Sequence, residues 1–177
     1  MRYIGPLVAF LLTYCVSAPA AAQTFGPSIQ GLCLLSRSGA ISGSRAGQSL
    51  QVQLRQMQAS LSGDLARQRA TIDQQRRTLA GRQNAIAPIE YQRQRAALDQ
   101  QAQALEQQHN ARFIAAQQRG QQQIDRVLNE ALARVITRTA CGVVLERDHA
   151  YGWNNAMDIT PSVSREMDGL LASVSLQ

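Results

Sequence analysis

The chain has 177 residues, a length that suits one domain, and 18 basic residues stand against 12 acidic ones, for a formal net charge of +6. Every basic residue is arginine, and only 5% of the residues are aromatic. Isolated cysteines without a CxxC, and only two histidines, argue against a metal centre or thiol redox catalysis.

Residues 1–22 read as a signal peptide. Met1-Arg2 gives a short positive start, and Leu7–Val16 is an apolar run too short to span a bilayer. Ala20-Ala21-Ala22 then offers small residues for cleavage before Gln23. The alternative for this stretch is a membrane anchor. With no later apolar run long enough to span, the mature chain is expected to be exported into a bacterial periplasm. Loss of Cys15 with the leader leaves Cys33 and Cys141. In an oxidising compartment this pair either forms a disulfide or sits as two small hydrophobes in apolar strands.

Ile29–Leu35 is the first strand candidate, stopped by Ser36-Arg37-Ser38-Gly39. Gly39–Gly43 reads as a connector, and a long helix starts around Ser44–Gly47. Residues 47–137 form the organising stretch, a polar run rich in Gln, Arg and Ala with apolar residues at helical spacing. It is expected to be a long antiparallel helical hairpin, an arm whose tip lies near residues 84–88. Pro88 disfavours a helical Ala87 and suits the first turn of a new helix.

On the outgoing helix Leu50, Leu54, Met57, Leu61 and Leu65 lead into Ile72, Leu79 and Ile86, the last four spaced by sevens. The alternate heptad positions, Gln68, Gln75 and Arg82, are polar, so one line of the seam is greasy and the other wet. On the return helix Leu105, His109, Phe113, Ala116, Gly120, Ile124, Val127, Ala131 and Val135 step by 4, 4, 3 repeatedly, close to 3.67 residues per turn. His109 on this line is a seam histidine rather than a ligand. Gly63, Gly81 and Gly120 lie inside the helices and favour bending.

Beyond the arm, Cys141–Leu145 reads as a second strand and Ala156–Ile159 as a short third one. Thr160-Pro161 then reads as an N-cap and first helical residue, followed by a helix with Val163, Met167, Leu170 and Leu171 on one face. Residues 23–46 and 138–177 thus make one small α+β body, β-rich and interrupted by the arm. A core of that size is marginal alone, and strands apolar on both faces leave one face open. Both points predict oligomerisation, with Leu32, Leu34, Val143 and Leu145 at the interface.

Charge is unevenly placed. The arm holds 12 arginines and 7 acids, whereas the two body segments hold 5 of each. A basic arm can attract anionic lipid or lipopolysaccharide, acidic proteins or nucleic acid, and export places nucleic acid last. Asp148-His149 reads as a solvated turn. With no G-x-S-x-G, P-loop or HExxH, and no cofactor motif, an enzyme ranks below a binding protein.

A leader, a strand, Ser44-x-Ala46-Gly47 opening a long helix, a polar hairpin, then Gly142-Val143-Val144-Leu145 and Asp158-Ile159-Thr160 before a last helix follow one another here. In this order they resemble the Skp/OmpH-like family of periplasmic chaperones, over essentially the whole mature chain. Leu35-Ser36 stands where that family often has an acidic residue, and its Lys-rich arms are here rich in Gln and Arg.

The resemblance implies a homotrimer whose β-rich bodies associate and whose arms enclose a cavity. It also implies an ATP-independent holdase for unfolded outer-membrane proteins. Client contact is then expected from Leu65, Ile72, Leu79, Ile86, Phe113 and Ile114, with Arg76 and Arg93 as charged partners. The alternative is an adaptor hairpin docking on one folded envelope partner.

Overall fold

The computed structural model describes residues 25–176. The expected leader and its cleavage point lie outside the described residues. Helix α2 (Arg45–Gly81, 37 residues) leaves the body, and α3 (Pro88–Thr139, 52 residues) returns to it. At 1.5 Å per residue they are about 55 and 78 Å long. Ser44 starts α2 from an extended conformation, its hydroxyl accepting the Gly47 N–H at 3.1 Å. Past Gly81 a single 3-10 turn (Gln83–Ala85) leads to Ala87, which is extended, and Pro88 opens α3. The break therefore falls where the ring of Pro88 requires it. Ala140, in the left-handed region at φ 53°, closes α3.

The seam between the helices buries Leu50, Ile72 and Leu79 of α2 against Leu105, His109, Ala116 and Gly120 of α3. Two cross-helix ion pairs set its register: Arg69 Nη2 to Glu106 Oε1 at 2.5 Å and Arg76 Nη2 to Asp99 Oδ1 at 2.7 Å. One partner moves on by seven as the other moves back by seven, so a single antiparallel register holds the outer arm. Nearer the body the stripe on α3 widens to Ile124, Leu128, Ala131 and Val135, all essentially inaccessible.

The body is built around β1 (Leu32–Leu35), which pairs in parallel with β2 (Val143–Glu146), Leu32 opposite Val143 and Leu34 opposite Leu145. Parallel strands need a long crossover, and here that connection includes the whole arm. A disulfide joins Cys33 to Cys141, with Cα atoms 5.8 Å apart, and so ties β1 to the end of α3.

Three sequence expectations need correction. Residues 156–159 are not a strand: Asn155–Met157 is a 3-10 turn, and pairing is limited to one parallel bridge between Leu34 and Asp158. The supposed connector is helix α1 (Arg37–Gly43), capped by Ser36, whose hydroxyl accepts the Gly39 N–H at 2.9 Å. Thr160 is the first residue of α4 (Thr160–Leu170) rather than its N-cap. Its hydroxyl instead accepts the Ser36 N–H at 2.8 Å, and the Asp158 carboxylate accepts the Thr160 N–H at 2.9 Å. Helix α4 lays Val163 and Met167 into the core as its spacing predicts, against Ala40, Ala46, Ile124, Leu128 and Val135.

The chain then does something the sequence did not announce. After α4, residues 171–176 run without regular structure onto the root of the arm, where Val174 and Leu176 are buried.

Candidate functional site

The arm and the open face of the body are the surfaces available for binding. Among the described residues no three His, Cys, Asp or Glu side chains gather where a metal could sit, and no helix is long and apolar enough to cross a membrane.

The residues singled out on the arm separate into three groups. Ile72 and Leu79 are buried in the seam, because a line spaced by sevens is the contact line between two antiparallel helices. Leu65, Ile86 and Phe113 are half-buried, their edges reaching the arm surface. Ile114 is 52% exposed, and Val52 and Ile89, which the heptad argument passed over, are exposed as well.

The wet half of the seam is a physical feature and not only a pattern. A crevice of about 500 Å³ opens beside Leu79, walled by Gln74, Gln75, Gln94 and Gln101. A second, about 350 Å³, opens beside Ile72 and Leu105 between Gln68, Gln101 and Gln108. The outer arm is thus held by one apolar line and two ion pairs, with open polar hollows along the other line. His109 belongs to the seam as expected, and its buried Nδ1 has no hydrogen-bond partner among the described residues.

The charged candidates are both engaged. Arg76 bridges Asp73 and Asp99, and Arg93 pairs with Glu90 at 3.3 Å. Arg55, Arg77, Arg82, Arg95, Arg112, Arg119 and Arg126 have no carboxylate partner among the described residues, and all seven are exposed. These carry the positive field of the arm.

On the body, Leu34 is buried within the chain's own core and Leu32 is half-buried. Val143 and Leu145 are 53% and 50% exposed, and Phe25 and Ile29 also show their side chains to solvent. Val144 of β2 packs against the core, while Val143 and Leu145 remain open on the other side of the pair.

Asp148-His149 is structural. The Asp148 carboxylate accepts from the hydroxyls of Ser36 at 2.7 Å and Ser38 at 2.9 Å. The Ser36 hydrogen bond is the main cause that holds its pKa below the ordinary carboxylate value. Asp158 is more enclosed. Burial pushes its pKa up, but hydrogen bonds from Thr160 and Arg147 outweigh this and leave it lowered. Arg147 reaches Asp158 at 2.8 Å and stands over the Trp153 ring, 5.3 Å from its centroid. Glu166 on α4 takes Arg138 at 3.1 Å and Arg134 at 3.3 Å, joining α4 to the end of α3.

Residues 34–167 match the family model described as outer membrane protein (OmpH-like). A crystal structure of an OmpH-like protein from Caulobacter crescentus CB15 superposes with a TM-score of 0.75 at 24% identity. The superposition covers 89% of this chain and 95% of that one, a likeness of fold. No curated protein sequence matches. Since the family model spans about three quarters of the sequence, from β1 through the whole arm and into α4, the chain belongs to the OmpH-like family.

Proposed function

We propose that this protein is an ATP-independent periplasmic holdase that keeps unfolded outer-membrane proteins from aggregating. The observation that carries the reading is the arm surface. Isolated apolar side chains (Val52, Leu65, Ile86, Ile89, Phe113, Ile114) stand among glutamines and seven arginines without a carboxylate partner among the described residues. Such a surface makes many weak contacts and imposes no fixed shape on what it holds. An unfolded membrane barrel offers the matching chemistry, alternating apolar strands that aggregate when left free. The neighbour from Caulobacter crescentus was itself solved as a candidate outer membrane chaperone of the OmpH-like kind, in keeping with this assignment.

In this reading residues 1–22 are the removed leader, residues 23–46 with 138–177 the oligomerisation body, and residues 47–137 the client-holding arm. Three copies associate through the open body face around Val143 and Leu145, and their arms surround the client. Unpaired arginines steer acidic clients and anionic membrane surfaces, an attraction that falls with salt.

The test dilutes an urea-unfolded outer-membrane barrel protein into the mature chain without nucleotide, following light scattering and the mass of soluble complexes. Suppressed scattering, with client bound to a trimer, is the expected result. Unchanged aggregation would overturn the holdase reading and favour an adaptor arm with one folded partner.

A further inference from the structure

The segment after α4 lies in the seam at the root of the arm and runs outward along it. Ser173 meets Ser49, Val174 meets Gln53, Ser175 meets Gln123, and Leu176 reaches Gly120 and Leu50. Its side chains alternate. Ser173 and Ser175 face solvent, while Val174 and Leu176 are buried, the two-residue period of an extended strand.

What holds its backbone is unusual for a helical groove. The Gln123 carboxamide accepts the Ser175 N–H at 3.0 Å and donates to the Ser175 carbonyl at 2.6 Å. One residue thus exchanges both main-chain groups with a side-chain amide, as it would with a neighbouring strand. Gln53 donates to the Val174 carbonyl at 2.8 Å. Neither contact depends on which side chains the bound segment carries. Gly120 supplies the floor: a Cβ there would overlap a Leu50 methyl and crowd Leu176, so the glycine makes room for both leucines against α3.

Residues 173–176 occupy one part of this groove. Two hollows of about 530 and 590 Å³ adjoin it, both bordered by Leu176 and Met57. Gln56 and Ser60 line one, and Gln108, Ala111 and Arg112 the other. They offer the same materials: amides for a backbone, small residues for close approach, and a methionine that adapts its shape.

We infer that the arm root is a binding site for extended peptide with alternating apolar side chains, and that residues 173–176 are its displaceable intramolecular occupant. That the natural occupant is a strand of an unfolded membrane barrel rests on the holdase reading, since such strands alternate in the same way. The peptide specificity itself rests on the groove. A short tether holds the tail near its site at roughly millimolar effective concentration, so a competing peptide must displace it. If the tail is seated about nine-tenths of the time, apparent peptide affinity falls about 10-fold.

The experiment measures fluorescence anisotropy of a labelled octapeptide alternating Val or Leu with Ser. A peptide of the same composition with its apolar residues in one block is the control. The mature chain ending at Ala172 should bind the alternating peptide at least about 10-fold more tightly than the intact chain. Gln123→Ala in that shortened chain should reverse most of the gain, and the blocked peptide should bind more weakly to both. In the intact chain, saturating peptide should speed amide hydrogen exchange at residues 173–176. Should the shortened chain fail to fold by circular dichroism, Leu176→Ser in the intact chain frees the same groove for the same measurement. Equal affinity for the two peptides, or no gain on freeing the groove, overturns the site. A chain that suppresses barrel aggregation yet fails here keeps the holdase reading and loses this one. Peptide binding without suppression does the reverse.

Discussion

Gly47→Ala is the substitution whose cost follows most directly from the geometry. Gly47 sits in the first turn of α2, where alanine is ordinarily the better helix former by about 1 kcal/mol. A Cβ here would overlap the backbone carbonyl oxygen of Ile41 and lie 2.7 Å from its carbonyl carbon and 3.0 Å from Cγ2. None of the closest atoms is the end of a flexible chain, so relief requires the end of α1 and the start of α2 to move apart. That elbow is held by Ser44, whose hydroxyl donates to the Ile41 carbonyl at 2.8 Å and accepts the Gly47 N–H at 3.1 Å.

Loss of a serine N-cap costs about 1 kcal/mol, and backbone displacement by overpacking about 1–3 kcal/mol. Set against the helix-forming gain, the net expectation is about 1–3 kcal/mol of destabilisation. The assay is urea unfolding, with Trp153 fluorescence reporting the body and far-ultraviolet circular dichroism the arm. The midpoint should fall, first in the fluorescence. An unchanged or raised midpoint would refute the claim that Gly47 is required for close approach rather than tolerated.

Gly81, by contrast, has nothing within 4 Å of an added Cβ, so Gly81→Ala should stabilise the arm by about 0.5–1 kcal/mol, and a fall in melting temperature would contradict this. Reducing the Cys33–Cys141 disulfide opens a loop closed across 108 residues, worth about 5 kcal/mol in the chain-entropy model. The urea midpoint of the body should drop sharply with reductant, and equal midpoints with and without it would count against a stabilising bond. Because the folded pKa values of Asp148 and Asp158 are lowered, their contribution is complete above the unfolded carboxylate value of about 3.9. It is lost as pH falls through that value toward the folded ones, so body stability should decline below about pH 4, and Asp158→Asn should flatten the decline; a variant with the full slope would contradict it.

The long elements were legible because their signals repeat. Eight apolar or small positions and His109 along α3, and the run of sevens through Ile72 and Leu79, give a periodicity that no loop imitates, and Pro88 allows only one place to reverse. Short elements had no such redundancy. Arg37–Gly43 contains two glycines and two serines, poor helix formers, and becomes helical because Ser36 caps it and Ala40 is completely buried. Its glycines let α4 close: a Cβ at Gly39 would crowd Thr160, and one at Gly43 would crowd Ser164. Residues 156–159 were apolar enough to suggest a strand, but the Asp158 carboxylate is taken up capping α4. The tail was missed for a different reason. Its alternation spans only Ser173–Leu176, and its partners Gln53 and Gln123 are two glutamines among many.

The same unevenness runs through the arm and connects its stability to its use. At the root, Ala116, Ile124, Leu128 and Val135 are packed to exclusion of solvent, and α4 and the tail cover the two helices. Farther out, α2 and α3 bury Ile72, Leu79, Leu105 and His109 between them, and crevices open between glutamines. Exposed ion pairs such as Arg69–Glu106 contribute little free energy, about 0–1 kcal/mol each, but their geometry discriminates one register from its neighbours. A slip of one turn would shift the arginines about 5.4 Å along the axis from their acids and set Ile72 and Leu79 against different partners. The outer arm thus keeps one alignment without dense packing. A fully apolar seam would hold that alignment more strongly, but it would also close the glutamine-lined hollows. Those hollows lie along the same line on which the tail already holds an extended segment.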